Sequence, residues 1–383
     1  SLVGSEMCIR DSSDTERSYT HMKIICSKSN LLKSVNISLK AVPSKTTMPI
    51  LECILMDATT NQIKFTTNDM ELGIETIVDG TIEEKGKVAL DAKIFYEIIR
   101  RLPDNDITIR TDDKYSATIT CEKAKFNIPG KSGEDFAYLP MIEKDEPLTI
   151  SQYTLKEMIR QTIFSIAVNE NNKLMTGELF EIKDNCLKVV SLDGHRIAIR
   201  KMPLKREYSD RKVVVPGKTL SEVSKILSGE VDDQVSIYFT KNHILFEFDQ
   251  TMVVSRLIEG EYFRIDQMLS SDYETKLKIN KKEFMDCIDR ATLLVKEGDK
   301  KPIIMNITDG TMELKINSFI GSMNEDIDIE KEGKDILIGF NPKFFIDALR
   351  VIDEENVSLY MVNPKAPCFI KDDEGKFIYL ILP

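Results

Sequence analysis

Two kinds of hydrophobic pattern alternate along this chain, and they predict helices and strands in an order that repeats. In six segments, apolar residues recur at spacings of three and four, which is the pattern of an amphipathic helix. Asp91, Ser151 and Asn341 stand where the side chain of a helix N-cap is expected. The six predicted helices cover residues 27–42, 91–102, 151–167, 216–227, 280–295 and 341–352.

Shorter runs rich in β-branched and aromatic residues lie between the predicted helices, and they predict strands. Asp193-Gly194 and Asp309-Gly310 are turn signals of the kind that join neighbouring strands. The pattern therefore favours an α+β fold, with several antiparallel strands and two helices on one face in each repeat. Examples of the predicted strands are residues 63–67, 186–190, 244–248 and 312–316.

One motif occurs three times, as a β-branched run, a turn or cap, a lysine and an apolar helix pattern. Its lysines are Lys93, Lys218 and Lys343, and each lies 125 residues from the next. This period is the size of a whole domain, not of a solenoid repeat, so the sequence predicts three copies of one domain. The three copies of the motif are residues 88–99, 213–223 and 336–346.

The domain boundaries are predicted in two polar or charged stretches, near residues 143–146 and 270–272. Residues 1–21 are polar and lack periodicity, and we interpret them as a non-native or disordered tail ahead of Met22. The predicted domains cover residues 22–145, 146–271 and 272–383.

Composition narrows the class of protein. No run of about 20 apolar residues is present, so no membrane span is expected, and no secretory signal is evident. The seven cysteines are scattered and form no CxxC pair. This favours a reduced, cytoplasmic protein without a disulfide framework or a zinc site, and we expect no cofactor.

Charge is distributed unevenly along the chain. The whole chain has a net charge of −11, yet the six helix segments together carry +7, so that the remainder carries −18. Basic helices on an acidic protein can present one positive surface to a polyanion. The alternative is that the charged helix faces are simply solvated, but the lysine repeated at one position of all three domains favours the first interpretation.

Three further segments carry a family resemblance: residues 47–51 (TMPIL), 192–198 (LDGHRIA) and 379–383 (YLILP). At these separations on a threefold repeat, they are similar to segments of the bacterial sliding clamps, the β subunits of DNA polymerase III. The resemblance covers Met22 to Pro383. It implies three DNA-clamp domains per chain, with two chains assembling head to tail into a homodimeric ring around double-stranded DNA. It also implies a non-catalytic role as a processivity factor.

The resemblance further implies that basic residues of the helices and of two loops face the DNA. Such residues attract phosphates without fixing a register, so that a ring can slide. Lys173 is on a loop where the family often has an aromatic residue. The candidates are Lys33, Lys45, Lys93, Arg100, Arg101, Arg160, Lys173, Lys218, Lys225, Lys282, Lys343 and Arg350.

A second implied site is a groove between the second and third domains. It would receive short linear motifs of the polymerase III catalytic subunit, the clamp loader and repair proteins. Phe263 and Gln267 stand where the family often has proline and arginine, and the family usually continues a few residues beyond Pro383. The implied groove residues are Met175, Leu192, Gly194, His195, Arg196, Ile197, Phe263, Gln267, Met268, Leu380, Ile381, Leu382 and Pro383.

Closing such a ring needs an interface between the first domain of one chain and the third domain of the other. By the same resemblance, Phe126 and Ile128 meet Leu293 and Leu294 across this interface. Mutual capping of edge strands would also prevent promiscuous pairing. The alternative is that these four are ordinary core residues.

Two other classes of function stay open on the residues alone. The acidic clusters at 353–355 and 372–374 could hold Mg²⁺ in a metal-dependent nuclease, although solvated turns explain them better. The sequence has no P-loop, GxGxxG, HExxH or GxSxG pattern. The third possibility is a protein–protein scaffold that uses the groove and never meets DNA.

Overall fold

The computed structural model describes residues 20–169, 171–296, 298 and 301–383. The predicted tail lies outside these ranges, apart from Thr20 and His21. Within them the chain has six α-helices among antiparallel strands, which confirms the α+β prediction. The helices are α1 Lys28–Ser38, α2 Ala92–Arg101, α3 Gln152–Arg160, α4 Gly217–Ile226, α5 Lys281–Thr292 and α6 Pro342–Val351.

Each helix begins within two residues of the end of a strand, and a side chain at the junction usually caps it. The Asp91 carboxylate accepts a hydrogen bond from the Ile94 N–H at 2.8 Å, and Ser151 and Asn341 accept comparable bonds. The three predicted caps are therefore confirmed. Each accepts a backbone N–H that the first turn of a helix leaves without an intrahelical partner.

The third helix is shorter than the sequence predicted, because it ends at Arg160 and not near Ala167. The Thr162 hydroxyl donates to the Met158 carbonyl at 2.7 Å, and the chain then forms a 3₁₀ turn at Ile163–Ser165. A side-chain hydroxyl that bonds to helix carbonyls competes with the next helical turn. The apolar periodicity continues through this turn, so periodicity alone did not show where the helix stops.

The helices pack in the pairs α1/α2, α3/α4 and α5/α6, and each pair contains the same polar contact. A lysine of the first helix donates to the carbonyl of the residue after the second helix, where a helix leaves carbonyls without partners. The acceptors are 125 residues apart, like the repeated lysines of the sequence motif. The contacts are Lys28 to Leu102, Lys156 to Leu227 and Lys281 to Ile352.

The described chain divides into two compact units, and the first contains the residues through Met141 together with Gln250–Val254. One sheet has the strand order β5-β1-β7-β8-β9, and a second set has the order β10-β6-β2-β3-β4. The strands are β1 Lys23–Ser27, β2 Cys53–Asp57, β3 Ile63–Asn68, β4 Leu72–Val78, β5 Thr81–Glu84, β6 Lys87–Asp91, β7 Asp106–Thr111, β8 Ala117–Cys121, β9 Ala124–Ile128 and β10 Gly130–Lys131.

The second unit contains Ile142–Asp249 and Ser255–Pro383. Its large sheet has twelve strands in the order β15-β12-β13-β14-β26-β25-β24-β19-β22-β21-β20-β23, beside a set β17-β16-β11. The remaining strands are β11 Leu148–Ser151, β12 Gly177–Lys183, β13 Cys186–Leu192, β14 Arg196–Pro203, β15 Arg211–Pro216, β16 Gln234–Phe239, β17 His243–Phe248, β18 Thr251–Arg256, β19 Thr275–Asn280, β20 Ile303–Thr308, β21 Thr311–Asn317, β22 Ser322–Gly333, β23 Ile336–Phe340, β24 Asn356–Met361, β25 Cys368–Lys371 and β26 Phe377–Ile381.

The pairing of β14 with β26 positions the candidate groove. Ile197 lies opposite Leu380 and Arg196 opposite Ile381, in an antiparallel register. Two of the segments that carry the family resemblance, 192–198 and 379–383, are therefore neighbours in one sheet. The second unit takes in most of the predicted second domain and all of the third, and the three-domain boundaries stay a prediction.

Candidate nucleic-acid interface and peptide groove

The three repeated lysines occupy one structural position. Lys93, Lys218 and Lys343 are each the second residue of a helix, in α2, α4 and α6, and all three are exposed. None of these helices has an acidic residue in its first turn. The N-terminal end of a helix carries a partial positive charge, and a lysine there adds to it. This position costs helix stability, so its threefold recurrence favours a role in attracting anions.

The other basic candidates are also at the surface, but several are already in ion pairs. Arg100 and Arg101 share the Glu97 carboxylate at 2.8 and 2.9 Å, and the hydrogen bond from Arg100 together with the charges of both arginines lowers the pKa of that carboxyl. Exposed pairs of this kind are weak, so such an arginine can turn to a phosphate at little cost. Of the twelve candidates, all but the half-buried Arg160 are exposed. Acidic side chains pair with Arg100, Arg101, Arg160, Lys225 and Lys282.

An apolar cluster covers one face of the twelve-stranded sheet in the second unit, and several predicted groove residues belong to it. Leu192, Ile197 and Leu380 are nearly buried in this cluster, and Met175 and Phe263 pack against it while remaining partly exposed. Alternation along a strand puts residues of one parity on one face. Three adjacent strands thus supply an apolar floor of the kind that receives aliphatic or aromatic peptide side chains.

A cavity of about 330 Å³ is lined by residues that include His195 and Leu382, which stand two positions along the chain from Ile197 and Leu380 of this cluster. His195, Leu382 and Pro383 line it, as the resemblance implied. The Leu382 N–H donates to the His195 carbonyl at 2.9 Å, which extends the β14–β26 pairing into the cavity wall. The imidazole of His195 stacks on the Phe344 ring with centroids 6.2 Å apart, so the wall is partly aromatic.

Arg196 lies beneath this wall, with only 8% of its side chain exposed. It donates to the Asp347 carboxylate at 2.7 Å, to Asp193 at 3.0 Å and to the Phe164 carbonyl at 2.8 Å. Its guanidinium also lies 4.5 Å from the centroid of the Phe344 ring. A planar, always charged donor suits this number of partners. Arg196 therefore joins β14 to α6 and holds Phe344 in place. It supports the cavity wall and does not itself line the cavity.

The structure places four predicted groove residues outside both the cavity and the apolar cluster. Ile381 is buried in the core on the opposite face of the sheet, because it alternates with Leu380. Gln267 and Met268 are exposed on the short turn Ile265–Met268. Gly194 is exposed in the hairpin turn with φ of +90°, a conformation that glycine adopts without strain.

Five cavity residues were missed from the sequence, namely Pro302, Gly339, Phe340, Asn341 and Phe344. Asn341 and Phe344 both line the cavity and both belong to the start of α6. They flank Lys343, so the third copy of the repeated motif contributes one side of its first turn to the cavity and exposes the other. The motif itself was the available signal, because it placed Phe344 next to the repeated lysine at a helix start.

The four residues predicted at a subunit interface lie at two exposed places, one in each unit. Phe126, 41% exposed, and Ile128 are on β9, which is the edge strand of its sheet in the first unit. In the second unit, Leu293 is 78% exposed at the end of α5, and Leu294 beside it is partly buried. Large exposed apolar side chains on an edge strand and at a helix end are typical of contact surfaces.

The acidic clusters have structural partners. The Asp372 carboxylate accepts the Phe377 N–H at 3.2 Å, and Glu374 pairs with Lys376. Asp353 lies 3.4 Å from Arg160. Within the described ranges, no group of three or more histidine, cysteine or acidic residues is arranged to hold a metal ion. None of the helices in those ranges has the length and apolar composition that crossing a bilayer requires.

Three family models match the chain in succession. They are described as the N-terminal, central and C-terminal domains of the DNA polymerase III beta subunit, and they match residues 22–140, 149–263 and 266–383.

Individual proteins give the same result. A beta sliding clamp of Staphylococcus epidermidis is 34% identical over 373 residues, which cover 94% of this chain and 99% of that protein. A crystal structure from Eubacterium rectale, described as a DNA polymerase III beta subunit, is 75% identical with a TM-score of 0.92, over 94% of this chain and 99% of that one. The DNA polymerase sliding clamp of Bacillus subtilis is 33% identical with a TM-score of 0.91, over 95% and 99%.

Proposed function

The chain belongs to the DNA polymerase III beta subunit family, and from this membership we propose that it is a sliding clamp. In this role two copies form a ring around duplex DNA in the cytoplasm and tether the replicative polymerase to its template. The protein itself performs no chemistry and serves as a processivity factor. The observation that carries the proposal is the exposed lysine that recurs at the second position of α2, α4 and α6.

These lysines suit a contact that slides. Lys93, Lys218 and Lys343 each combine a mobile ammonium with the positive end of a helix. Phosphates recur on every nucleotide, so a few such contacts hold DNA near the helices without selecting a sequence or a register. Because the ring itself would prevent escape, the individual contacts need only be weak.

The two exposed edges are complementary, which supports a homodimer. β9 is an edge strand, with Ile128 packed on the core side and Lys125 exposed. In β22, residues 322–328 pair with β21, and in the described structure no strand pairs with their other side. Ile327 of this segment is buried while Asp326 is exposed.

Joining β9 of one chain to β22 of its partner would therefore continue the apolar face of each sheet. Lys125 of β9 and Lys123 just before it would then lie near the acids of β22, and both open edges would be closed. A head-to-tail contact of this kind closes into a ring of two copies if it relates one copy to the next by a rotation of half a turn.

The groove supplies the tether. We place the polymerase III catalytic subunit, the clamp loader and repair proteins in it through short linear motifs. The apolar floor at Ile197 and Leu380 suits aliphatic side chains, and the wall formed by His195 and Phe344 suits an aromatic one.

Retention on DNA tests the proposal. The chain is loaded by the clamp loader of its own organism onto a nicked circular plasmid, and bound protein is separated by gel filtration. We expect the protein to elute with the circle and to leave after a single restriction cut, because a ring slides off a free end. Protein that stays equally bound to linear DNA would contradict an encircling clamp.

The role of the three repeated lysines is tested by reversing their charge together, in the triple variant Lys93→Glu, Lys218→Glu and Lys343→Glu. We expect retention to fall at least about tenfold, because three phosphate contacts become repulsive. The control reverses three exposed turn lysines with the same change in net charge, namely Lys114, Lys241 and Lys365. Equal loss in both triples would mean that only net charge matters, and no loss in either would favour a scaffold that does not meet DNA.

A further inference from the structure

The turn between β21 and β22 presents a phenylalanine to solvent. Phe319 is 99% exposed and its neighbour Ile320 is 52% exposed. The turn is nevertheless well built, since the Ser318 N–H donates to the Gly321 carbonyl at 2.9 Å and the Ser318 hydroxyl accepts the Ile320 N–H at 3.1 Å. A structured turn that holds two large apolar side chains in water is unfavourable for a chain that stays alone.

This turn is continuous with the end of α5. A Cβ built on Gly321 would lie 3.7 Å from a methyl group of Leu294, so the turn and the helix end are in contact. The exposed side chains next to this contact are Leu293 on the helix end and Phe319 and Ile320 on the turn, and we call these three residues the turn patch. The Lys301 ammonium lies 5.8 Å from the centroid of the Phe319 ring, at the margin of the patch.

We propose that the turn patch is the apolar anchor of the contact between two copies of this chain, with Phe319 as its central residue. This inference rests on the proposed homodimer and names a contact residue that the family resemblance did not supply. The unpaired edge of β22 begins at Ser322, directly after the turn. Any strand that pairs with this edge therefore passes beside Phe319.

The opposite edge in a second copy offers a matching surface. On β9, Phe126 is 41% exposed, and its parity puts it on the same side as Ile128. Lys123 and Lys125 are exposed near this strand, while Asp326 and Asp328 are exposed on β22. Opposite charges beside two apolar patches favour this pairing over one between two identical edges.

Fluorescence offers a direct readout because the chain contains no tryptophan. A Phe319→Trp variant carries a single tryptophan at the centre of the turn patch. We expect its emission to shift to shorter wavelength as concentration rises through the range where light scattering shows the mass doubling. Adding Phe126→Asp should abolish both changes. An emission that stays typical of exposed tryptophan while the mass doubles would overturn the anchor and leave the homodimer intact.

A second variant measures the size of the effect. Phe319→Asp should raise the dissociation constant of the dimer at least about tenfold, as for an anchor residue at an interface. The control is Val168→Asp, because Val168 is 95% exposed at a place remote in sequence from both edges. An equal dissociation constant in Phe319→Asp and wild type would overturn the inference. A wild-type chain that remains a monomer at all concentrations would overturn the inference and the homodimer together.

Discussion

Arg196 and Glu178 are both buried in the second unit, on strands of the same twelve-stranded sheet, but their side chains have very different numbers of hydrogen-bond partners. Arg196 has two carboxylates and a carbonyl within 3.0 Å. Glu178 on β12 is fully buried, and neither of its oxygens has a hydrogen-bond partner among the described residues. One charge is therefore compensated on several sides, while the other has no cation to compensate it.

The lack of partners changes the ionisation of Glu178. Burial raises the pKa of Glu178 to about 8, against a smaller lowering effect of the neighbouring Thr162 side chain. The other titratable group that senses it is Tyr262, whose pKa is raised by burial and by Glu178. An unpaired buried carboxyl becomes neutral by binding a proton, whereas a buried guanidinium must find partners because it stays charged. The pair shows that burial alone does not decide whether an ionisable group stabilises a fold.

The largest effect is expected from removing the compensated charge. Arg196→Met leaves the carboxylates of Asp347 and Asp193 facing each other in a nearly buried site, and we expect a loss of about 3–5 kcal/mol in the free energy of unfolding. Urea unfolding followed by circular dichroism measures it. The control is Arg211→Met, since Arg211 is exposed on β15. A loss below about 1 kcal/mol would show that Arg196 is not the link between β14 and α6.

Replacing Glu178, the uncompensated acid, should raise the free energy of unfolding, and the size of the gain should depend on pH. The folded state keeps the Glu178 proton up to about pH 8. The unfolded chain releases it near pH 4.3. Between these values the unfolded state binds fewer protons, so the contribution of Glu178 to stability falls as pH rises, and it levels off above the folded pKa.

In Glu178→Gln this slope should disappear, so the variant should gain about 1–3 kcal/mol relative to wild type between pH 5.5 and pH 8. Denaturant unfolding at both pH values measures the difference. Glu181→Gln on the same strand is the control, because Glu181 already pairs with Lys188. Parallel pH profiles for wild type and Glu178→Gln would mean that Glu178 is ionised and has a partner.

The sequence predicted those features that depend on neighbours along the chain. The helices, their caps at Asp91, Ser151 and Asn341, and the turn at Gly194 follow from periodicity and local hydrogen bonding. The lysine at the second position of three helices followed from the 125-residue period.

Features that depend on strand pairing could not be read in the same way. Arg196 was expected in the groove itself, yet its side chain lies beneath the cavity wall, where Asp347 of α6 and the Phe164 carbonyl accept its hydrogen bonds. Leu380 and Ile381 appeared equivalent in an apolar run, yet alternation puts them on opposite faces. Glu178 gave no signal at all, since a carboxylate in a strand is usually exposed.

The smallest change in stability is expected from a buried group that is neutral. Its removal tests the contribution of a hydrogen bond without a change in charge. The Tyr379 hydroxyl donates to the Gln161 carbonyl at 2.9 Å, and burial raises its pKa, so it stays neutral. Tyr379→Phe removes one satisfied donor and leaves a carbonyl without that partner, and we expect a loss of about 1 kcal/mol at any pH between 5.5 and 8. The control is Tyr153→Phe, because the Tyr153 side chain on α3 is exposed. A loss as large as that of Arg196→Met would show that any buried polar link between elements dominates stability here, and that the contrast between compensated and uncompensated charge is not the cause.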